Sequence, residues 1–230
     1  MTTRPSTPPA PDPWEAAYLR FETPAQESRK FSERLESLGA ADWPRDARVV
    51  ELFCGRGTGL HVLRQLGFTG TIGVDLSPTL AAQYSGGSPM VVGDGRALPL
   101  GTGSVDVAIV QGGLHHLPAL PEDLERTVEE AWRVLRPGGR LVVVEPWLTP
   151  FLSLVHTACE SRIIRRLSGK VDALATMIVH ERRTYEQWLG APGVIRRVLE
   201  QRFEPEMWRV GWGKLFFVGR RREDSLAHGR

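Results

Sequence analysis

Cysteine is nearly absent, with only Cys54 and Cys159 among 230 residues. Two thiols so far apart supply neither a disulfide framework nor the paired spacing of a zinc-binding module. No apolar run approaches the roughly 20 residues that a membrane-spanning helix needs. No basic-then-apolar leader opens the chain, so a cytoplasmic protein is expected. An excess of one charge is also lacking. Lys and Arg number 29 against 27 Asp and Glu, a net charge of +2 that does not announce a nucleic-acid partner. Internal repeats are missing too. What remains is an ordinary globular composition, 41% hydrophobic and 24% charged, sufficient for one domain with a small lid.

Proline marks the first boundary. Residues 1–13 hold Pro5, Pro8, Pro9, Pro11 and Pro13 among small polar residues, and such a tract reads as a flexible tail. Residues 14–40 place Ala17, Tyr18, Phe21, Phe31, Leu35 and Leu38 among charges, predicting an N-terminal helical cap broken near Pro24. Residues 41–146 alternate short apolar strands with helices and form the predicted core. Residues 147–189 read as helices, Phe151 to Leu167 and then Asp172 to Leu189. Residues 190–222 add a helix from Gly193 to Phe203 and a strand pair, Met207 to Gly211 and Lys214 to Gly219; residues 223–230 form a tail.

The most informative stretch is Val49-Val50-Glu51-Leu52-Phe53-Cys54-Gly55-Arg56-Gly57-Thr58-Gly59. A buried strand feeds a helix, Leu60 to Leu66, through three glycines spaced two apart. Such a junction lets backbone approach a ligand and aims helix N–H groups at negative charge. A second strand, Ile72 to Val74, ends in Asp75, 24 positions after Glu51, where a βαβ unit places a carboxylate for ribose hydroxyls. Met90 to Val92 then leads into Gly93-Asp94-Gly95-Arg96-Ala97-Leu98-Pro99. A fourth strand, Ser104 to Val110, runs into Gln111-Gly112-Gly113-Leu114-His115-His116-Leu117. A helix from Pro121 to Leu135 and a strand from Leu141 to Val144 end at Glu145-Pro146.

This ordered set, over roughly residues 47–146, resembles the class I S-adenosylmethionine-dependent methyltransferases. Within them it is most similar to the small-molecule group related to quinone-biosynthesis C-methyltransferases. The resemblance implies an α/β, Rossmann-like, seven-stranded and mostly parallel sheet with flanking helices. Residues 147–189 would then be its helical substrate cover. The family loop reads acid-x-Gly-x-Gly-x-Gly. With Glu51 as the acid, the first glycine is Phe53 here, which narrows the methionine end of the cofactor site, and Gly59 is extra.

By that resemblance S-adenosylmethionine is the cofactor. Gly55 and Gly57 would give backbone access to its methionine and ribose portion. Cys54, Arg56 and Gln111 would offer main-chain groups to the amino-acid end. Asp75 would accept both ribose hydroxyls, with an N-cap role before Ser77 as the plainer reading. Leu76 would pack on the adenine, Asp94 would accept from its exocyclic amine, and Gly95 or Arg96 would supply an N–H. Asp94-Gly95 also reads as a simple turn. Glu51 either orders the loop or meets the cofactor's amino group.

His116, after the fourth strand, is the candidate general base, with His115 its less favoured neighbour. Glu145, His156, His180 and Tyr185 are secondary candidates near the acceptor. No metal is expected, because no acidic cluster resembles the catechol-type magnesium site. Methyl transfer to an oxygen, carbon or nitrogen of a small organic molecule follows, in a biosynthetic setting. Gln111-Gly112-Gly113 stands where DNA and amide methylases carry Asn/Asp-Pro-Pro-aromatic. A nucleic-acid or protein methyltransferase and a non-catalytic cofactor-binding partner remain as alternatives. Residues 160–222 carry fourteen Lys and Arg against seven Asp and Glu. Arg162, Arg165, Arg166, Lys170, Arg182 and Arg183 read either as a solvated face or as a recruiter of an anionic acceptor. Oligomeric state is not encoded legibly.

Overall fold

The computed structural model describes residues 13–223; of the predicted tails, 1–13 and 223–230, residues 1–12 and 224–230 lie outside the described residues, while Pro13 opens the first helix instead of closing a tail. Two helices lead, α1 (Pro13–Phe21) and α2 (Pro24–Ser37). Thr23 separates them: its hydroxyl accepts from the Gln26 N–H, while the Gln26 side chain accepts from the Thr23 N–H. This reciprocal cap, with Pro24 in the first turn, fixes the break next to the proline.

The core then alternates β1 (Arg48–Leu52), α3 (Thr58–Gln65), β2 (Gly70–Asp75), the single-turn α4 (Pro78–Ala81), β3 (Met90–Val92), β4 (Val105–Gln111), α5 (Glu122–Val134) and β5 (Leu135–Pro146). Three helices follow, α6 (Pro150–Glu160), α7 (Arg162–Leu167) and α8 (Gly169–Leu189). The chain closes through α9 (Pro192–Arg202), β6 (Phe203–Gly211) and β7 (Lys214–Arg221).

These strands form one seven-stranded sheet in the order β3-β2-β1-β4-β5-β7-β6. Pairing is parallel from β3 to β5, and β7 runs antiparallel to both β5 and β6. The Rossmann-like architecture is therefore as expected. Its central strand is buried on both faces, with Val49, Val50 and Leu52 fully covered. One apolar layer joins Val50, Leu52, Val110, Val128 and Leu199 under α5 and α9. The other joins Val49, Leu60, Leu63, Phe31 and Leu35 under α2 and α3. Parallel strands need such cover on both faces. Strand order reverses between β1 and β4, the switch point where α/β sheets open a ligand crevice.

Several boundaries differ from the sequence expectation. The expected helix over Phe151 to Leu167 is two, because Ser161 adopts an extended conformation and its hydroxyl accepts from the Ile164 N–H. Ser168 likewise accepts from the Val171 N–H, so α8 begins at Gly169 rather than Asp172. β5 starts at Leu135, which pairs with Val105 across a register shift, so α5 stops one residue early. β6 begins at Phe203, directly after α9, rather than at Met207.

Gly59, extra by the family register, has a packing reason. A Cβ there would overlap both the Glu51 carboxyl and the Phe31 ring, so only glycine lets α2 and α3 close over β1. Gly59→Ala is expected to lower stability by about 1–3 kcal/mol through overpacking. Urea unfolding that matches the parent would show that the Phe31 ring has room to move aside.

Candidate functional site

The site lies along the carboxyl ends of β1, β2, β3 and β4. The β1–α3 turn takes left-handed conformations at alternate positions, with φ of 57° at Phe53, 54° at Gly55 and 77° at Gly57. This alternation supports the register in which Phe53 stands at the first glycine. Left-handed backbone costs a non-glycine residue about 1–2 kcal/mol, and side-chain packing holds Phe53 there. Its ring lies over Gly113 and Gly95: a Cβ on Gly113 would overlap it, and one on Gly95 would come within 2.9 Å. The ring thus bridges the loops after β3 and β4, across the crevice.

Asp75 closes β2 with both carboxylate oxygens engaged, Oδ2 by the Gly55 N–H at 2.7 Å and Oδ1 by the Ser77 N–H at 2.8 Å. Each oxygen keeps a second lone pair. Beside it Leu76 is an apolar side chain left 64% exposed. Gln111 ends β4; its carbonyl accepts from Arg34 of α2 at 3.2 Å, while its buried Nε2 has no hydrogen-bond partner among the described residues. Glu51 Oε2 is in the same state. Loss of water pushes the Glu51 carboxyl up to about 8, with Glu27 and Asp75 adding to the rise.

Two expected donors are already committed. The Cys54 N–H donates to the Val74 carbonyl at 3.3 Å and its own carbonyl accepts from Gly57 at 2.9 Å, so the turn consumes both groups. Its thiol is buried beside the Met90 sulfur at 3.3 Å. Arg96 wraps Asp94 instead of leaving it open: the backbone N–H at 2.9 Å, Nε at 3.0 Å and a terminal nitrogen at 2.8 Å all donate to that carboxylate. This fork holds the Asp94 carboxyl below its usual range. Arg96 also reaches Asp123 at 3.0 Å. The Arg56 side chain turns to Glu27 of α2 at 2.9 Å, an acid that Tyr18 and Thr58 also engage. Glu27 escapes a sequence reading because it is one charge among many on an amphipathic helix.

Beyond β4 lies a second cluster. Glu145, fully buried at the end of β5, accepts from the Gly113 and Leu114 N–H groups at 2.8 and 2.7 Å. Its other oxygen lies 2.7 Å from His115 Nδ1. Burial alone would lower the His115 pKa, but Glu145, and then Glu181 of α8, push it up to about 9. The His115 charge and those N–H groups in turn hold Glu145 below the usual carboxylate range, against the effect of its burial.

His116 goes the other way, lowered to about 4 by loss of water and by the adjoining His115 charge. So weak a base does not suit proton abstraction at neutral pH. At neutral pH the His116 ring is then uncharged, an acceptor or a ligand. Tyr185 and His156 meet at 3.1 Å on the cover, and Tyr185 packs edge-on against His115. His180 is exposed on α8 and stands outside the cluster.

Known proteins bear on this geometry. Residues 50–143 match the family described as "Methyltransferase domain". The ubiquinone/menaquinone biosynthesis C-methyltransferase UbiE of Methylobacterium nodulans is 35% identical over 39% of this chain and 34% of its own. The demethylmenaquinone methyltransferase of Corynebacterium efficiens is 36% identical over 38% and 36%. Over residues 50–143 the chain is thus similar to S-adenosylmethionine-dependent methyltransferase domains. The matched segment spans little over a third of these curated relatives. A crystal structure of a Pyrococcus horikoshii protein shares the domain's fold, with a TM-score of 0.67 at 19% identity, covering 93% of this chain and all of that one.

The crevice suits S-adenosylmethionine. Glu51 Oε2 can accept from an ammonium, Gln111 Nε2 can donate to a carboxylate, and Asp75 and the exposed Leu76 offer partners for ribose hydroxyls and an aromatic base. Phe53 is the residue that fits least, since its ring occupies the space over Gly113 and Gly95. Glu51 adds a pH signature to the ligand-free protein. Its folded-state pKa near 8 lies above the ordinary 4.5, so folding takes up a proton in that window. Stability should therefore fall as pH rises from about 4.5 toward 8 and level off beyond. Glu51→Gln should flatten that decline in urea midpoints measured from pH 5 to 9. An unchanged slope would assign the decline elsewhere.

Proposed function

We propose that this chain transfers the methyl group of S-adenosylmethionine to an oxygen, carbon or nitrogen of a small organic acceptor. The observation that carries the reading is the pair of unsatisfied buried atoms, Glu51 Oε2 and Gln111 Nε2, at the carboxyl ends of β1 and β4 on either side of the switch point. Buried polar atoms without partners are rare enough to call for a ligand. Asp75 would hold the ribose and Leu76 one adenine face, with Gly95 approaching the base. Asp94 would reach the adenine amine only by sharing its Arg96 fork. Gly55, Gly57, Glu51 and Gln111 would surround the amino-acid end. The cofactor brings an electrophilic methyl on a sulfonium; the protein's task is to align donor and acceptor and exclude water.

The water-excluding parts are at hand. Trp14 of α1 sets its ring edge-on to His116, with centroids 6.1 Å apart, and α1 lies along α8. His116 and Tyr185 would flank the acceptor. The quinone-biosynthesis relatives support a small, ring-bearing acceptor. S-adenosylhomocysteine calorimetry tests the reading directly. Parent protein should bind it, and Asp75→Ala should weaken binding by about 1–3 kcal/mol by leaving ribose hydroxyls unpaired. Phe53→Gly should tighten binding by removing the bridging ring. No heat with either cofactor form would overturn the assignment.

The finer proposal is an anionic acceptor. Arg162, Arg165 and Arg166 line a cavity of about 470 Å³ together with Asp172. Arg165 is committed to Asp172 at 2.8 Å, which ties α7 to α8. Arg183 donates to the Pro118 carbonyl and Lys170 stacks on Phe21. The recruiting role therefore narrows to Arg162 and Arg166. Replacing both with Gln should raise the acceptor KM and flatten its salt dependence while homocysteine-form binding stays unchanged. A KM equal to the parent's across the salt series would make this a solvated face.

A further inference from the structure

We propose that His115, His116 and Glu181 form a binding site for a divalent transition metal of the zinc class, with Glu145 fixing His115 from behind. His115 Nε2 lies 3.7 Å from Glu181 Oε2, and His116 Nδ1 lies 3.6 Å from Glu181 Oε1. All three ligand atoms fall within 4.8 Å of one another. Tetrahedral zinc with bonds of about 2.0–2.1 Å separates its ligands by about 3.3–3.4 Å. The two His–Glu distances are within a few tenths of an ångström of that separation, while a pair as wide as 4.8 Å would have to draw in by about 1.4 Å around an ion.

The surroundings favour an ion over a bare ion pair. Glu181 Oε1 is buried and without a hydrogen-bond partner, an acceptor in want of a cation. Glu145 already accepts two backbone N–H groups, so its remaining oxygen at 2.7 Å holds the hydrogen on His115 Nδ1. In the ion-free protein the second His115 proton lies on Nε2, toward Glu181; a metal ion would displace that proton and take the Nε2 lone pair. A carboxylate behind the far nitrogen of a histidine is the support that metal-bound imidazoles use. The ligands are mounted on different elements: two on the turn after β4, one on α8. An ion would pin the cover helix to the core. Two imidazoles and one carboxylate select zinc-like ions over magnesium. Three protein ligands leave a fourth position for water or an acceptor oxygen.

The cluster arises only when α8 folds across the turn, 65 positions along the chain from His116. Metal binding is independent of methyl transfer, and it is read without any acceptor. Full-length protein is stripped with chelator and titrated with Co²⁺ under visible absorption, then with Zn²⁺ by calorimetry. One equivalent should bind, giving ligand-field bands of low-symmetry cobalt, and millimolar Mg²⁺ should not displace it. Glu181→Gln and His116→Ala should each weaken binding at least tenfold. Glu145→Gln should weaken it about 10–100-fold. His180→Ala, an exposed histidine on the same helix, should leave it unchanged. Should the buried Glu145 variant fail to fold, the Glu181 and His116 variants decide. Absence of a one-equivalent cobalt spectrum, or binding untouched by Glu181→Gln, overturns the site. S-adenosylhomocysteine heat in the same preparation separates that failure from a failure of the transferase reading.

Discussion

The parallel pairing of β1 with β2 on one side and β4 on the other organises everything else. Because β1 is hydrogen-bonded along both edges and covered on both faces, its carboxyl end is held on every side. Chain leaving that point has to turn at once, since helix α3 packs back on one face of the sheet. The turn is made by left-handed positions at 53, 55 and 57. Glycine meets that demand freely at two of them; Phe53 meets it with its ring seated over two further glycines. Crevice and constriction therefore come from the same constraint.

Two buried glutamates at the ends of β1 and β5, on either side of β4, show how partners decide charge. Glu51 and Glu145 are both shut away from water. Glu51 has acids for neighbours and one backbone N–H, from Leu60, on its side, so its proton is retained up to about 8. Glu145 has two backbone N–H groups and an imidazolium, so it stays ionised. Desolvation acts the same way on both; only the compensation differs. The crevice end of the sheet is thus set to meet a cation. Its neighbour after β4 is already balanced around His115.

Much of this was legible in the sequence, and the legible parts are local. A strand ending in glycines, an acid 24 positions on, and apolar runs of strand length all depend on near neighbours. The sheet and the place of Asp75 follow from them. Less legible were interactions that one short hydrogen bond decides. The apolar pattern runs straight through Ser161, yet its hydroxyl caps a new helix there and splits the segment. Arg96 looked like a backbone donor, while its guanidinium closes on Asp94 two residues away. Least legible were partners brought by folding, Glu27 to Arg56 and Glu181 to the histidine pair. No periodicity separates such acids from their solvated neighbours on the same helix.

The N-terminal helices illustrate how those distant partners give the site its cover. Glu27 alone gathers Tyr18 from α1, Arg56 from the glycine turn and Thr58 from the start of α3. Arg34 on the same helix reaches Gln111 at the end of β4. One helix thus touches both sides of the switch point through polar contacts, while Phe31 and Leu35 anchor it in the core beneath. Apolar anchoring is non-directional and holds the helix in place; the polar contacts at its crevice-facing side can exchange partners at small net cost, because each offers one hydrogen bond for another. Such a division lets the cover rearrange over a ligand without unseating.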